Sequence, residues 1–152
     1  KNKKFLYQKT KDKRVIKFHS KSSHKINQMS FNEELLLDKN FSIKTIPFHY
    51  LDSMCLININ GFKILNLNDC DIKNVKQLKT IKNLCGQIDL LMVQFSYAIG
   101  KSNKEDINER KNWSNKILKN LSNTINYLKP HNVIPFASFC YFSRYENFYL
   151  ND

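Results

Sequence analysis

The sequence predicts an α/β fold, a mixed β-sheet with flanking helices, on three observations. Residues 41–67 carry strand patterns on either side of a single Asn60-Gly61 pair. Apolar residues fall at helical spacing twice further on, over residues 75–84 and 102–128. Each of those stretches is followed by a short apolar run, over residues 88–95 and 132–136. The order strand, strand, strand, helix, strand, helix, strand describes a sheet with helices packed on it.

The elements are justified in chain order. Residues 1–40 form a basic segment with two brief apolar groups, Phe5-Leu6-Tyr7 and Val15-Ile16-Lys17-Phe18, the second read as a short strand. Phe31 to Leu37 suits a helical turn or a short strand equally well, because acids and leucines mix there without a clear period. Phe41 to Ile46 alternates apolar and polar side chains, as a half-buried strand requires. Met54 to Ile59 is apolar and β-branched, Asn60 and Gly61 both tolerate positive φ, and Phe62 to Leu67 returns. Val75, Leu78, Ile81 and Leu84 predict an amphipathic helix that ends near Gly86. Ile88 to Phe95 reads as a strand buried on both faces. Trp113, Ile117, Leu121, Ile125 and Leu128 line one face of the longest helix, which Lys129-Pro130 stops.

Composition narrows the function classes. A chain of 152 residues with 41% hydrophobic and 12% aromatic residues is globular, and three glycines and three prolines leave no long linker. The formal net charge is +12, but residues 1–26 carry +9 of it. That asymmetry allows either a solvated basic surface or an N-terminal patch for nucleic acid or another polyanion. The four cysteines make no CxxC pair and no zinc-finger spacing, so reduced thiols and a cytoplasmic location are expected. No apolar run is long enough for a bilayer, so no membrane partner is expected.

Two groups of residues can carry chemistry. His49 sits among turn-formers in Pro47-Phe48-His49-Tyr50-Leu51-Asp52-Ser53, where an imidazole can ligate a metal or donate to a backbone carbonyl. Asp69 lies in Asn66-Leu67-Asn68-Asp69-Cys70-Asp71, where a carboxylate can ligate a cation or shape a turn. The two bracket one complete hairpin, so they are expected near one another.

The run His-x-x-Asp-Ser, an apolar strand, a glycine turn and Ile64-Leu65-Asn66-Leu67-Asn68-Asp69 resembles the second half of the metallo-β-lactamase superfamily. Gln87-Ile88-Asp89-Leu90-Leu91 and Pro130-His131-Asn132-Val133-Ile134-Pro135 look like later strands of that fold. Pro135-Phe136-Ala137 is similar to a segment in the branch containing the metallo-β-lactamase-like domain of CMP-sialic acid hydroxylases. The resemblance covers residues 41–152 and implies one half of an αββα sandwich. It further implies one or two zinc or iron ions, His49 and Asp69 as metal ligands, and hydrolysis by a metal-bound hydroxide. Tyr141, Arg144, Tyr145 and Asn147 are then expected to bind a small anionic or sugar-linked substrate, or else to pack as core.

The sequence departs from the superfamily in lacking a His-x-His-x-Asp-His loop and in placing Ala137 where a late histidine is usual. His131 falls at the wrong end of its strand. Two ligands do not hold a catalytic zinc, which takes three protein ligands and an open position. The expectation is the C-terminal portion of a hydrolase, inactive alone and prone to associate with itself or a partner chain. The other expectation is a metal-free basic binding module.

Overall fold

A computed structural model describes residues 4–9, 13–21, 25–49, 52–97, 103–138 and 140–151. The expectations that touch Tyr50, Leu51, Ser102 and Phe139 lie outside these residues. In chain order the elements are β1 (Lys4–Gln8), α1 (Arg14–His19), β2 (Lys25–Met29), β3 (Glu34–Asp38), β4 (Phe41–Phe48), β5 (Asp52–Ile59) and β6 (Phe62–Asn66). They continue as α2 (Val75–Cys85), β7 (Leu90–Val93), α3 (Ile107–Leu128), β8 (Asn132–Pro135) and a closing 3-10 helix, Tyr145–Asn151. β1 and β2 pair in parallel as a small separate sheet. The other six strands form one sheet in the order β3-β4-β5-β6-β7-β8. Its first three pairings are antiparallel and its last two parallel. The mixed sheet with flanking helices is therefore as the sequence predicts.

Local chemistry explains most boundaries. Asn60 and Gly61 take φ of 53° and 88°, the two positive values that a type I′ hairpin turn demands. The side chain of Asn58 accepts a hydrogen bond from the Gly61 amide at 3.0 Å and fixes that turn. α2 starts in a capping box: Asn74 accepts from the Gln77 amide while the Gln77 side chain accepts from Asn74, satisfying donors a helix leaves open. It stops at Gly86, φ 69°. α3 ends at Lys129, whose φ of 50° is left-handed; the following Pro130 bars it from the helical region.

Four readings shift, the first being β7, which is buried on one face only, with Leu90 and Met92 half-buried on the other. Val15 to Phe18 lies in the helix α1, not in a strand, because the short apolar group carries both periods equally well. The ambiguous stretch after Phe31 is the strand β3, which pairs with β4, so residues 34–38 of the basic segment belong to the sheet. On α3 the buried residues are Arg110, Thr124 and Leu128, whereas Trp113 is 38% exposed and sits at the rim of the buried face.

Two crossovers, β6-α2-β7 and β7-α3-β8, step in the same direction across the sheet. Parallel crossovers are right-handed, so both helices land on one face. The core agrees: Ile46, Met54, Leu56, Leu65 and Leu91 from the strands join Leu78, Ile81 and Leu128 from the helices. Fully burying one such side chain contributes about 1.5–3 kcal/mol.

The opposite face alternates with it. There Phe41, Ile43, Cys55, Ile57, Ile64 and Met92 are half-buried, and Ile59, Phe62 and Ile134 are exposed. No strand residue on that face is fully buried, although most of them are apolar.

Candidate metal-binding edge

The strand directions define the site. β4, β6, β7 and β8 all end at one edge of the sheet, and β5 begins there. Carboxyl ends of parallel strands are where open α/β sheets bind ligands, since the loops that follow are free to converge. His49 follows β4 directly, Asp52 opens β5, and Asp69 lies in the turn after β6. All three stand at this edge.

Each has its own surroundings. His49 is exposed, takes a φ of 54° and sets its ring edge-on to Phe48 at 4.3 Å. It lines a cleft of about 340 Å³ between β4 and α2, together with Asn32, Lys76, Gln77 and Thr80. Asp69 is exposed and accepts a hydrogen bond from the Asn68 side chain at 2.7 Å. Asn68 has a φ of 50°, and its amide donates to the Asn66 side chain at 2.8 Å, so the turn is built by asparagines. Asp71, next along, accepts from Asn120 at 2.9 Å and ties the turn to α3.

The Cys70 thiol follows Asp69 directly. Burial, then the charges of Asp52 and Asp69, push it up to about 12. Both charges, like burial, favour the protonated thiol. Sequence reading missed Asp52, although it stands in the same motif as His49. It counts here because the β5–β6 register carries the start of β5 toward the end of β6.

An imidazole and two carboxylates are donors that suit zinc or iron. Among the described residues, no three His, Cys, Asp or Glu side chains stand close enough together to hold an ion. A zinc centre needs at least three. The described residues alone thus fall short of a complete site.

The predicted substrate residues lie in the C-terminal tail. Tyr141, Arg144, Tyr145 and Asn147 are all exposed, Tyr145 at 94%. The Tyr141 ring meets Phe148 edge-on at 5.7 Å, and the Asn147 amide donates to the Arg144 carbonyl at 3.0 Å. The Tyr97 hydroxyl, just past β7, donates to the Leu150 carbonyl at 2.6 Å and holds the tail at the same edge. Ser138 ties the ends of β7 and β8 there: its hydroxyl accepts from the Phe95 and Ser96 amides at 3.1 and 3.0 Å. His131 lies at the far edge, 3.0 Å from Asp89, away from all of these.

Neither protein-family models nor curated proteins match this chain. Solved structures do. CmlA, a diiron β-hydroxylase from Streptomyces venezuelae, superposes with a TM-score of 0.63 at 13% identity, over 87% of this chain and 30% of that one. YhfI of Bacillus subtilis, a metallo-β-lactamase fold protein, gives 0.55 at 10% identity, over 95% and 56%. Human tRNase Z, short form, gives 0.52 at 13% identity, over 88% and 61%. The fold of this chain is thus that of metallo-β-lactamase-fold proteins. The chain spans only 30% to 61% of the length of these three. No helix among the described residues is long and apolar enough to cross a membrane.

Proposed function

We propose that this chain is the C-terminal portion of a metal-dependent hydrolase of the metallo-β-lactamase fold, and that His49 and Asp69 are two of its metal ligands. The observation that carries the reading is the superposition on YhfI, a metallo-β-lactamase fold protein, over 95% of the chain, with both residues at the edge where the strands end. One neighbour is described as diiron, which makes iron, like zinc, a natural ion to test. A bound ion would supply an acidic water at neutral pH. The chain's own part is to orient: the φ of 54° at His49 turns its backbone out of the strand, and the asparagine turn fixes Asp69. Further donors must come from outside the described residues before hydrolysis is possible. Tyr141, Arg144, Tyr145 and Asn147 are assigned to a small anionic or sugar-linked substrate, a reading supported by the Tyr97 hydrogen bond that holds their tail near that edge.

Metal analysis tests this. Titrated with zinc or iron without desalting, the chain is expected to bind the ion weakly, with His49→Ala and Asp69→Ala each lowering affinity roughly 10-fold or more. Equal affinity in the wild type and both variants would overturn the assignment. Salt-sensitive binding of DNA or RNA by a metal-free chain would favour the basic binding module instead.

A further inference from the structure

Arg110 is the least explained side chain in the molecule. It lies in the second turn of α3, is 3% exposed, and has no carboxylate partner among the described residues. Its Nη1 donates to the carbonyls of Asn103 and Lys104 at 2.8 and 3.0 Å. Its guanidinium stacks over the Tyr149 ring at 5.1 Å. The two remaining donor atoms, Nε and Nη2, are buried and have no hydrogen-bond partner among the described residues. A buried charge without an anion is costly, and so is each unmade hydrogen bond.

The geometry of the two unpaired donors is specific. Nε and Nη2 form the side-on fork of a guanidinium, the pair of parallel N–H groups that takes both oxygens of a carboxylate or phosphate. The two loop carbonyls and the tyrosine ring already hold the plane of the guanidinium, so the fork is set before anything binds. α3 runs back from the end of β7, so its first turns lie at the edge that carries His49, Asp52 and Asp69. The 3-10 helix that covers Arg110 is itself lightly packed, with Tyr145 94% and Phe148 50% exposed.

We propose that Arg110 is an oxyanion-binding residue, whose Nε and Nη2 receive the carboxylate or phosphate of a small ligand beneath the C-terminal 3-10 helix. This adds a buried anion-binding residue to the exposed tail residues proposed above. The assignment does not depend on metal at His49 and Asp69, and either one can fail while the other stands.

The chain has three arginines, Arg14, Arg110 and Arg144, so single lysine replacements assign their Nε–H signals in nitrogen-15 spectra. Inorganic phosphate and succinate are titrated separately, each against chloride at matched ionic strength. One of them is expected to move the Arg110 signal saturably and, at roughly a hundredfold excess over Kd, to raise Tm by about 5–10 °C. Whichever anion does so identifies the ligand class. Arg110→Lys keeps the charge but loses the fork and should abolish the response, while Arg14→Lys should keep it. An Arg110 signal unmoved by both anions overturns the proposal, and so does an undiminished Tm response in Arg110→Lys. Should Arg110→Lys fail to fold, the wild-type titration alone decides.

Discussion

The two faces of the six-stranded sheet are built from the same strands and come to different ends. On β6, Leu65 is fully buried under α2 and α3, while its neighbour Ile64 points the other way and is half-buried. On β5 the same alternation puts Met54 and Leu56 inside and Cys55 and Ile57 on the second face. Both faces are apolar, yet only one holds fully buried core residues. Apolar composition therefore does not decide burial here; the handedness of two crossovers does, by sending both helices to one side. The second face has the composition of a surface that another layer would cover.

Adjacent truncations sharpen this contrast most. Leu65→Ala is expected to cost about 2–5 kcal/mol in urea unfolding, as a well-packed core position should. Ile64→Ala is expected to cost about 1 kcal/mol or less and to reduce self-association in light scattering. Equal costs at the two positions would mean that the faces are equally buried in solution.

The thiols provide a second comparison. Cys70 and Cys85 lie in the covered core; burial pushes Cys85 up to about 11, against the pull of Lys44 and Lys63, and Cys70 up to about 12. Cys55 on the second face is raised by burial as well. Values raised in the folded state mean that the folded chain keeps its thiol protons longer than the unfolded one. This stabilisation is intact below about pH 8.5, the unfolded thiol value, and is lost as the pH rises toward 11–12. Urea midpoints should thus fall between pH 8.5 and 10.5, and Cys85→Ala should flatten that slope. At pH 8 a thiol reagent should label the exposed Cys140 first and Cys70 and Cys85 only on unfolding. A slope unchanged in Cys85→Ala would remove burial of this thiol as its cause.

The smallest effect is expected at the far edge. Asp89 accepts from the Lys63 amide at 2.8 Å and faces His131, linking β6 to the starts of β7 and β8. The Lys63 hydrogen bond, then His131, hold its carboxyl below the usual value. A depressed folded value stabilises above about pH 4 and is lost as the pH falls through it. Asp89→Asn should therefore flatten the acid limb of a stability profile and leave the alkaline limb unchanged. Loss of the alkaline slope as well would tie this edge to the core thiols.

Much of this was legible in the sequence, for identifiable reasons. Asn60-Gly61 admits essentially one turn, and the helix stops at Gly86 and Lys129-Pro130 follow from backbone sterics. Val15 to Phe18 was not legible, because a few apolar residues satisfy both periods. Trp113 falls at correct helical spacing, yet spacing gives an angle around α3 and not the width of the face the sheet covers. Of the site, the edge was readable from His49 and Asp69 bracketing a hairpin. Arg110 was hidden, since an arginine on a lysine-rich helix looks solvated until the chain turns back over it.

The outer strands of the sheet add a consequence of their own. β3 is five residues long, carries Glu34 and Asp38 at its ends, and has its register broken between Leu36 and Asp38. β8 is shorter still and finishes on Pro135, which has no N–H to offer. Acids, an irregularity and a proline are the devices that keep rims from recruiting foreign strands. Growth of this sheet by sideways addition is thereby discouraged at both ends, and any assembly the chain enters is steered toward stacking layer on layer.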